Sequence, residues 1–258
     1  MPKVQQLLKN DFVLVRFAAA LAVGDMEYRP AKRYVQQLLK APDEITRIGA
    51  AYAMNKLGYP ESFGLLSKAI TSSDQTVRAN AALLLGISGN KSALPLLYRA
   101  MKDEGSDKKV SLQAAEAIAK LGDEQIYPKL WTMLISAYVF DKVMGVKAMG
   151  ALGTAEAKSA LITMLKDENL EVRLATAEQL GMLGYPTGEP VVLDVFKEKL
   201  TAGLDKNDTE SINVLTALAI GQIGTASLTK FLPQLLKNES KLVRIAAAKA
   251  VFQRIMKN

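Results

Sequence analysis

Apolar and small residues return at helical spacing, and the same arrangement recurs along the chain. It is visible in VRFAAALAVG (15–24), TRIGAAYAMN (46–55), VRANAALLLG (77–86) and VSLQAAEAIA (110–119). It continues in DKVMGVKAMG (141–150), VRLATAEQLG (172–181), INVLTALAIG (212–221) and VRIAAAKAVF (243–252). The second residue of each segment is Arg16, Arg47, Arg78, Ser111, Lys142, Arg173, Asn213 or Arg244, so successive intervals are 31, 31, 33, 31, 31, 40 and 31 residues. Such a period marks a repeat architecture, in which each unit buries its apolar face against its neighbours. Counting from this Arg position, residues −1, +3, +4, +7 and +10 are apolar or small almost throughout. At 100° per residue they form one stripe, the buried face of a helix. Position +4 reads Ala20, Ala51, Ala82, Ala115, Val146, Ala177, Ala217 and Ala248, small enough for helices to approach closely.

Each unit reads as two helices. In the third, SFGLLSKAI (62–70) forms the first, Asp74 stands at an N-cap, Gln75 to Ile87 form the second, and Gly89 and Asn90 end it. Asp43 and Asp107 hold the place of Asp74 in their own units. The turns LGYPES, LGDEQ, LGTAE and LGYPTG supply Gly for a positive φ, and Pro60 and Pro186 suit the first turn of the next helix. The units run approximately 1–26, 27–58, 59–89, 90–122, 123–153, 154–184, 185–224 and 225–258, within a single repeat domain over 1–258. The seventh is about nine residues longer, and the expectation is a longer first helix followed by a polar loop at Asp205–Asp208. Neither end carries a distinct polar capping unit. Either Lys3, Lys9, Arg254 and Lys257 serve that purpose or the chain belongs to a longer protein.

Composition narrows the chemistry. The 258 residues include no Cys and no His, which excludes thiol nucleophiles, disulfides, Cys/His zinc sites and His-based triads. The net charge is +7, spread over both halves with no basic tail. Aromatics are 6% of the chain, which favours close-packed helices over β-sandwiches. No apolar run is long enough to span a bilayer and no signal peptide is visible at the start. The expected compartment is the cytoplasm, with an exported form whose signal has been removed left open. Nucleotide-binding loops and the G-x-S-x-G elbow are absent, and Asp103, Glu104 and Asp107 lack calcium-loop spacing.

The pattern D-x-x-V-R-x-x-A-A-x-A-L-G-x-x-G, followed by a Leu-rich helix, resembles short HEAT-like repeats of the kind noted in phycobilisome lyase subunits and common in bacterial scaffolds. The resemblance extends over essentially the whole chain. It implies an all-α, right-handed α-solenoid of about eight helical hairpins. It further implies a non-enzymatic scaffold or adaptor that binds a partner helix or peptide in a concave groove. A phycobilin-lyase-like chromophore-handling protein and a HEAT-like nucleic-acid binder are the alternatives, the latter disfavoured by a groove poor in basic and aromatic residues. No catalytic residue, cofactor or metal is assigned.

Two sets of residues are candidates. Arg16, Arg47, Arg78, Arg173 and Arg244, with Asp43 and Asp74, either form a ladder that holds repeats in register or offer guanidinium groups to phosphates. Positions +1, +2, +5 and +9 face away from the core stripe, and the family resemblance places them on the concave surface. The groove expected there comprises Tyr52, Lys56, Leu83, Ile87, Leu112, Glu116, Lys120, Val143, Met144, Lys147, Glu178, Leu215 and Leu218. Apolar members would bury a partner's side chains and Lys56, Glu116, Lys120, Lys147 and Glu178 would orient it. The opposing possibility is that position +1 is covered by the next repeat, leaving Ile48, Leu112 and Leu174 as core. Trp131, with Tyr127, Tyr138 and Phe140, is a partner anchor, a platform on which a base stacks, or local packing on the convex side.

Overall fold

The structure is a computed structural model describing residues 2–257, with side chains from 3 to 256. The Lys257 side chain therefore lies outside the described residues. Every regular element among them is helical. The chain forms two compact units, 1–123 and 124–258. In the first, hairpins pair α1 (Pro2–Leu7) with α2 (Val13–Asp25) and α3 (Lys32–Leu38) with α4 (Glu44–Lys56). They continue with α5 (Phe63–Ala69) and α6 (Gln75–Ile87), then α7 (Leu94–Lys102) and α8 (Lys108–Lys120). In the second, α9 (Tyr127–Leu134) precedes α10 (Val139–Leu152), and α11 (Ala155–Met164) precedes α12 (Leu170–Met182). The last two hairpins are α13 (Glu189–Lys197) with α14 (Lys206–Ile223), and the broken pair α15 (Ala226–Thr229) and α16 (Leu232–Leu236) with α17 (Lys241–Lys257).

Within each unit the second helices stack in order: α2 on α4 on α6 on α8, and α10 on α12 on α14 on α17. Local chemistry sets their limits. Asp43 Oδ1 accepts from the Thr46 amide at 2.7 Å, and Asp74 caps α6 through the Thr76 and Val77 amides. Asp107 and Asp205 cap α8 and α14 in the same way. Gly58, Gly122, Gly153 and Gly184 close helices with φ of +97°, +75°, +67° and +85°. Glu27 occupies the equivalent place after α2 with φ +47°.

The small-residue stripe forms the core. Ala20, Ala51, Ala82, Ala115, Val146, Ala177 and Ala217 are fully buried. The closest crossings, however, fall four residues further on, at glycines. A Cβ on Gly24 would lie 3.0 Å from Ala53 Cα, one on Gly86 2.7 Å from Ala117 Cα, and one on Gly221 2.7 Å from Ala250 Cα. The seventh repeat departs from expectation. Its first helix, α13, has 9 residues, the same as α7, whereas its second, α14, has 18. The Asp205 cap recruits Asn207 and Asp208 into the helix, so the extra length lies in the preceding turns and in α14 itself.

Candidate functional site

The recurrent cations are committed to the loops between paired helices. Arg16 Nη1 donates to the Asn10 and Asp11 carbonyl oxygens at 2.8 and 2.9 Å, while Nη2 meets Asp43 Oδ2 at 2.7 Å. Arg47 binds the Ala41 and Pro42 carbonyls, Arg173 those of Asp167 and Glu168, and Arg244 those of Asn238 and Glu239, all within 3.0 Å. Arg78 turns to the following loop, donating to Asp103 Oδ2 and Ser106 Oγ at 2.7 Å each. Lys142, in the Arg position of its own repeat, pairs with Asp167 at 2.8 Å. A loop is thus held from two sides: Lys142 grips the Asp167 side chain and Arg173 its carbonyl. Burial works to raise the Asp43 carboxyl, but hydrogen bonds from Thr46 and Arg16 outweigh it and hold the group below its ordinary value. Asp167 is lowered likewise, by Lys142 and Asn169 against its burial. Asp74 serves as a helix cap, and Asp103 and Asp167 take the ion-pairing places. Their signal in the sequence is the shared Lys-Asp-Glu at 102–104 and 166–168.

The expected groove residues divide by exposure. Tyr52, Leu112, Glu116 and Glu178 are buried, at 2%, 4%, 9% and 7% exposure, and offer little to a partner. The Tyr52 hydroxyl donates to Asp25 Oδ1 at 2.5 Å, and burial with that carboxylate pushes its ionisation upward. Glu116 accepts from Lys120 Nζ at 2.6 Å and from Gln113 at 2.9 Å. Burial raises the Glu178 carboxyl, partly offset by Lys147 and Lys249. Lys56, Leu83 and Ile87 in the first unit, and Val143, Met144, Lys147, Leu215 and Leu218 in the second, are half-buried, whereas Lys120 is exposed. Leu112 stands at +1, which packs toward the following second helix in several repeats, as Phe17 does against Gly49, so Ile48 and Leu174 are core too. Tyr52, Glu116 and Glu178 stand at +5, and Tyr52 packs back against Gly24 of the preceding second helix. Val143 and Val214, also at +1, stay half-buried. Position −2, occupied by Phe140, Glu171, Ser211 and Leu242, lies on the open side instead.

In the second unit these −2 residues frame a cavity of about 490 Å³ at the N-terminal ends of α10, α12, α14 and α17. Its apolar lining is Val139, Phe140, Val143, Val214, Leu215 and Leu242, and its polar edge is Glu171, Asn207, Glu210 and Ser211. Ser211 Oγ donates to Glu171 Oε1 at 2.5 Å. Phe140 and Leu242 remain 58% and 57% exposed. Val143 and Leu215 were expected in a groove. Val139, Phe140 and Leu242 were missed, because they precede the Arg position, outside the positions +1 to +9 from which the groove is read. A signal for the first two was present: the segment Ile135–Phe140 is apolar but for Ser136 where other loops read KAPDE, TSSDQ or KDENLE. A second cavity, about 440 Å³, lies between Tyr127 and Trp131 of α9 and Ala155, Glu156, Ser159, Ala160 and Thr163 of α11. Trp131 and Tyr127 thus belong to one surface and Phe140 to another.

No helix among the described residues is long and apolar enough to cross a membrane. No curated protein sequence matches the chain significantly. Among solved structures, the CpcE–CpcF complex of phycocyanin lyase from Nostoc sp. PCC7120 is similar at 17% identity and a TM-score of 0.53, covering 99% of this chain and 94% of that one. Human deoxyhypusine hydroxylase is similar at 16% identity and 0.48, covering 99% and 96%. An archaeal HEAT-like repeat protein from Thermococcus onnurineus NA1 is similar at 16% and 0.32, covering 99% and 97%. At 17% identity the likeness to the lyase complex is one of fold alone. The family model for HEAT repeats matches residues 1–71, 64–139 and 142–202. With the Ala stripe, the glycine crossings and the stacked hairpins, that match makes this chain a member of the HEAT repeat family.

Proposed function

We propose that the protein is a non-enzymatic interaction scaffold that seats a helix or peptide segment of a partner protein in the second unit's apolar cavity. The observation that carries this reading is the cavity itself: six apolar side chains facing solvent, two of them more than half exposed. Solvent-facing apolar surface of this kind marks partner sites. Its edge holds Glu171 and Glu210 and no cation, although the chain as a whole carries +7. A fitting segment therefore presents one or two large apolar side chains with a Lys or Arg beside them.

The test uses wild type and Leu215→Glu as paired baits against lysate, with circular dichroism confirming equal helicity. Proteins retained by wild type and lost by Leu215→Glu support the cavity. Leu83→Glu, in the first unit, leaves their retention intact. Equal retention by wild type and Leu215→Glu overturns the assignment. A spectral change on titration with a bilin would favour the chromophore-handling alternative.

A further inference from the structure

The recess between α9 and α11 has aromatic rings on one side and hydrogen-bond acceptors on the other. Tyr127 and Trp131 stand four residues apart on α9 and share one face of it. Trp131 is 41% exposed. Tyr127 precedes the Arg position of its repeat by fifteen residues. At that place in the second and sixth repeats, Lys32 and Lys158 lie over the rings of Tyr59 and Tyr185, 4.2 and 3.5 Å from the ring centres. The fifth repeat has a ring where those repeats have the ammonium, and Thr154 where they have the tyrosine. Among the described residues no cation covers Tyr127 or Trp131.

The facing side only accepts. Glu156, Ser159 and Thr163 follow at steps of three and four along one face of α11. Ser159 Oγ donates its hydrogen to the Ala155 carbonyl at 3.0 Å, and Thr163 Oγ1 to the Ala160 carbonyl at 2.7 Å. Both hydroxyls therefore have only lone pairs left for a ligand. The Glu156 side chain is exposed, with no hydrogen-bond or ion-pair partner among the described residues. No cation lines the recess. The matching group is flat, positively charged and rich in donors. A guanidinium stacks on an indole face, forks onto a carboxylate and has no acceptor to leave unpaired. We propose that this recess of about 440 Å³ seats an arginine side chain of a partner protein, stacked on Trp131 and paired with Glu156. Free arginine fits less well, because nothing in the lining receives its α-carboxylate. A nucleobase would leave its own acceptors unpaired there. None of these residues lines the cavity at Val143 and Leu215, so the site is independent of that one.

Trp131 is the only tryptophan of the chain, so intrinsic tryptophan emission reports on this site alone. The experiment titrates the full chain with the capped peptide acetyl-Gly-Gly-Arg-Gly-Gly-amide and follows that emission. Counterparts carry citrulline, which keeps the shape without the charge, or glutamate. The arginine peptide is expected to give a saturable change and the counterparts none. Glu156→Gln should weaken the arginine peptide roughly fivefold. Trp131→Leu, followed by anisotropy of the labelled peptide, should abolish binding. Leu215→Glu, in the other cavity, should leave it unchanged. Absence of a saturable change, an equal response to citrulline, or equal binding by Glu156→Gln or Trp131→Leu overturns the proposal. So does tighter binding of free arginine than of the capped peptide, which makes the occupant a small molecule. A saturable response to single-stranded oligothymidylate in place of the arginine peptide overturns it too, and makes Trp131 a base-stacking platform.

Discussion

Glu27 and Gly58 hold equivalent places one repeat apart, yet only the glycine reaches a positive φ without a Cβ penalty. Glu27→Gly should therefore raise stability by roughly 0.5–1 kcal/mol, read as a higher urea midpoint at unchanged slope. A fall would show that the Glu27 side chain contributes more than its backbone costs. The loop carboxylates act through pH. Asp43 and Asp167 are held below the ordinary carboxylate value in the folded chain. Their contribution is complete above the unfolded value of about 3.9 and is lost as pH falls through the lower folded value. Asp167→Asn should thus destabilise most at neutral pH, and the difference from wild type should shrink below about pH 4. Thermal unfolding across a pH series measures it; a gap constant with pH would place the loss in packing instead.

At the level of the helix pair, glycine has two opposite meanings. Gly221→Val forces a side chain against Ala250 and should cost roughly 1–3 kcal/mol. Gly64, within α5, has open space around an added Cβ, so Gly64→Ala should stabilise by roughly 0.5–1 kcal/mol. Denaturant unfolding of the two variants side by side checks both signs. Much of this level was legible in the sequence, because caps, stripe and period are local properties: Asp74, Gln75 and Ile87 bound α6 as the pattern predicts. What stayed hidden depends on how one helix sits on the next. A helical wheel puts Leu112 and Glu178 opposite the core stripe, but a second helix in a stack has neighbours on two further sides, and both residues are buried. For the same reason the open cavity drew on Phe140 and Leu242, which spacing alone assigns to a loop and to a helix start. In the seventh repeat, composition marked Asp205–Asp208 as loop, yet the first of those residues is the cap that starts α14.

For the molecule as a whole, contacts join residues about one repeat apart, so stability is expected to vary along the chain instead of residing in one core. Amide exchange should be slowest in α4, α6, α12 and α14, each stacked on both sides, and fastest in α1 and the last turn of α17. Uniform protection in hydrogen-exchange mass spectrometry would refute this and show a single cooperative unit. The loop at Asp167 carries a consequence of another kind. It presents an acceptor to the cation of the preceding repeat through its side chain, and a second acceptor to the cation of its own repeat through its backbone. A segment bearing both halves of a joint can be copied in tandem without a new adapter at either seam. The gene for such a chain can lengthen or shorten by whole blocks, and each junction it creates already has its mating parts.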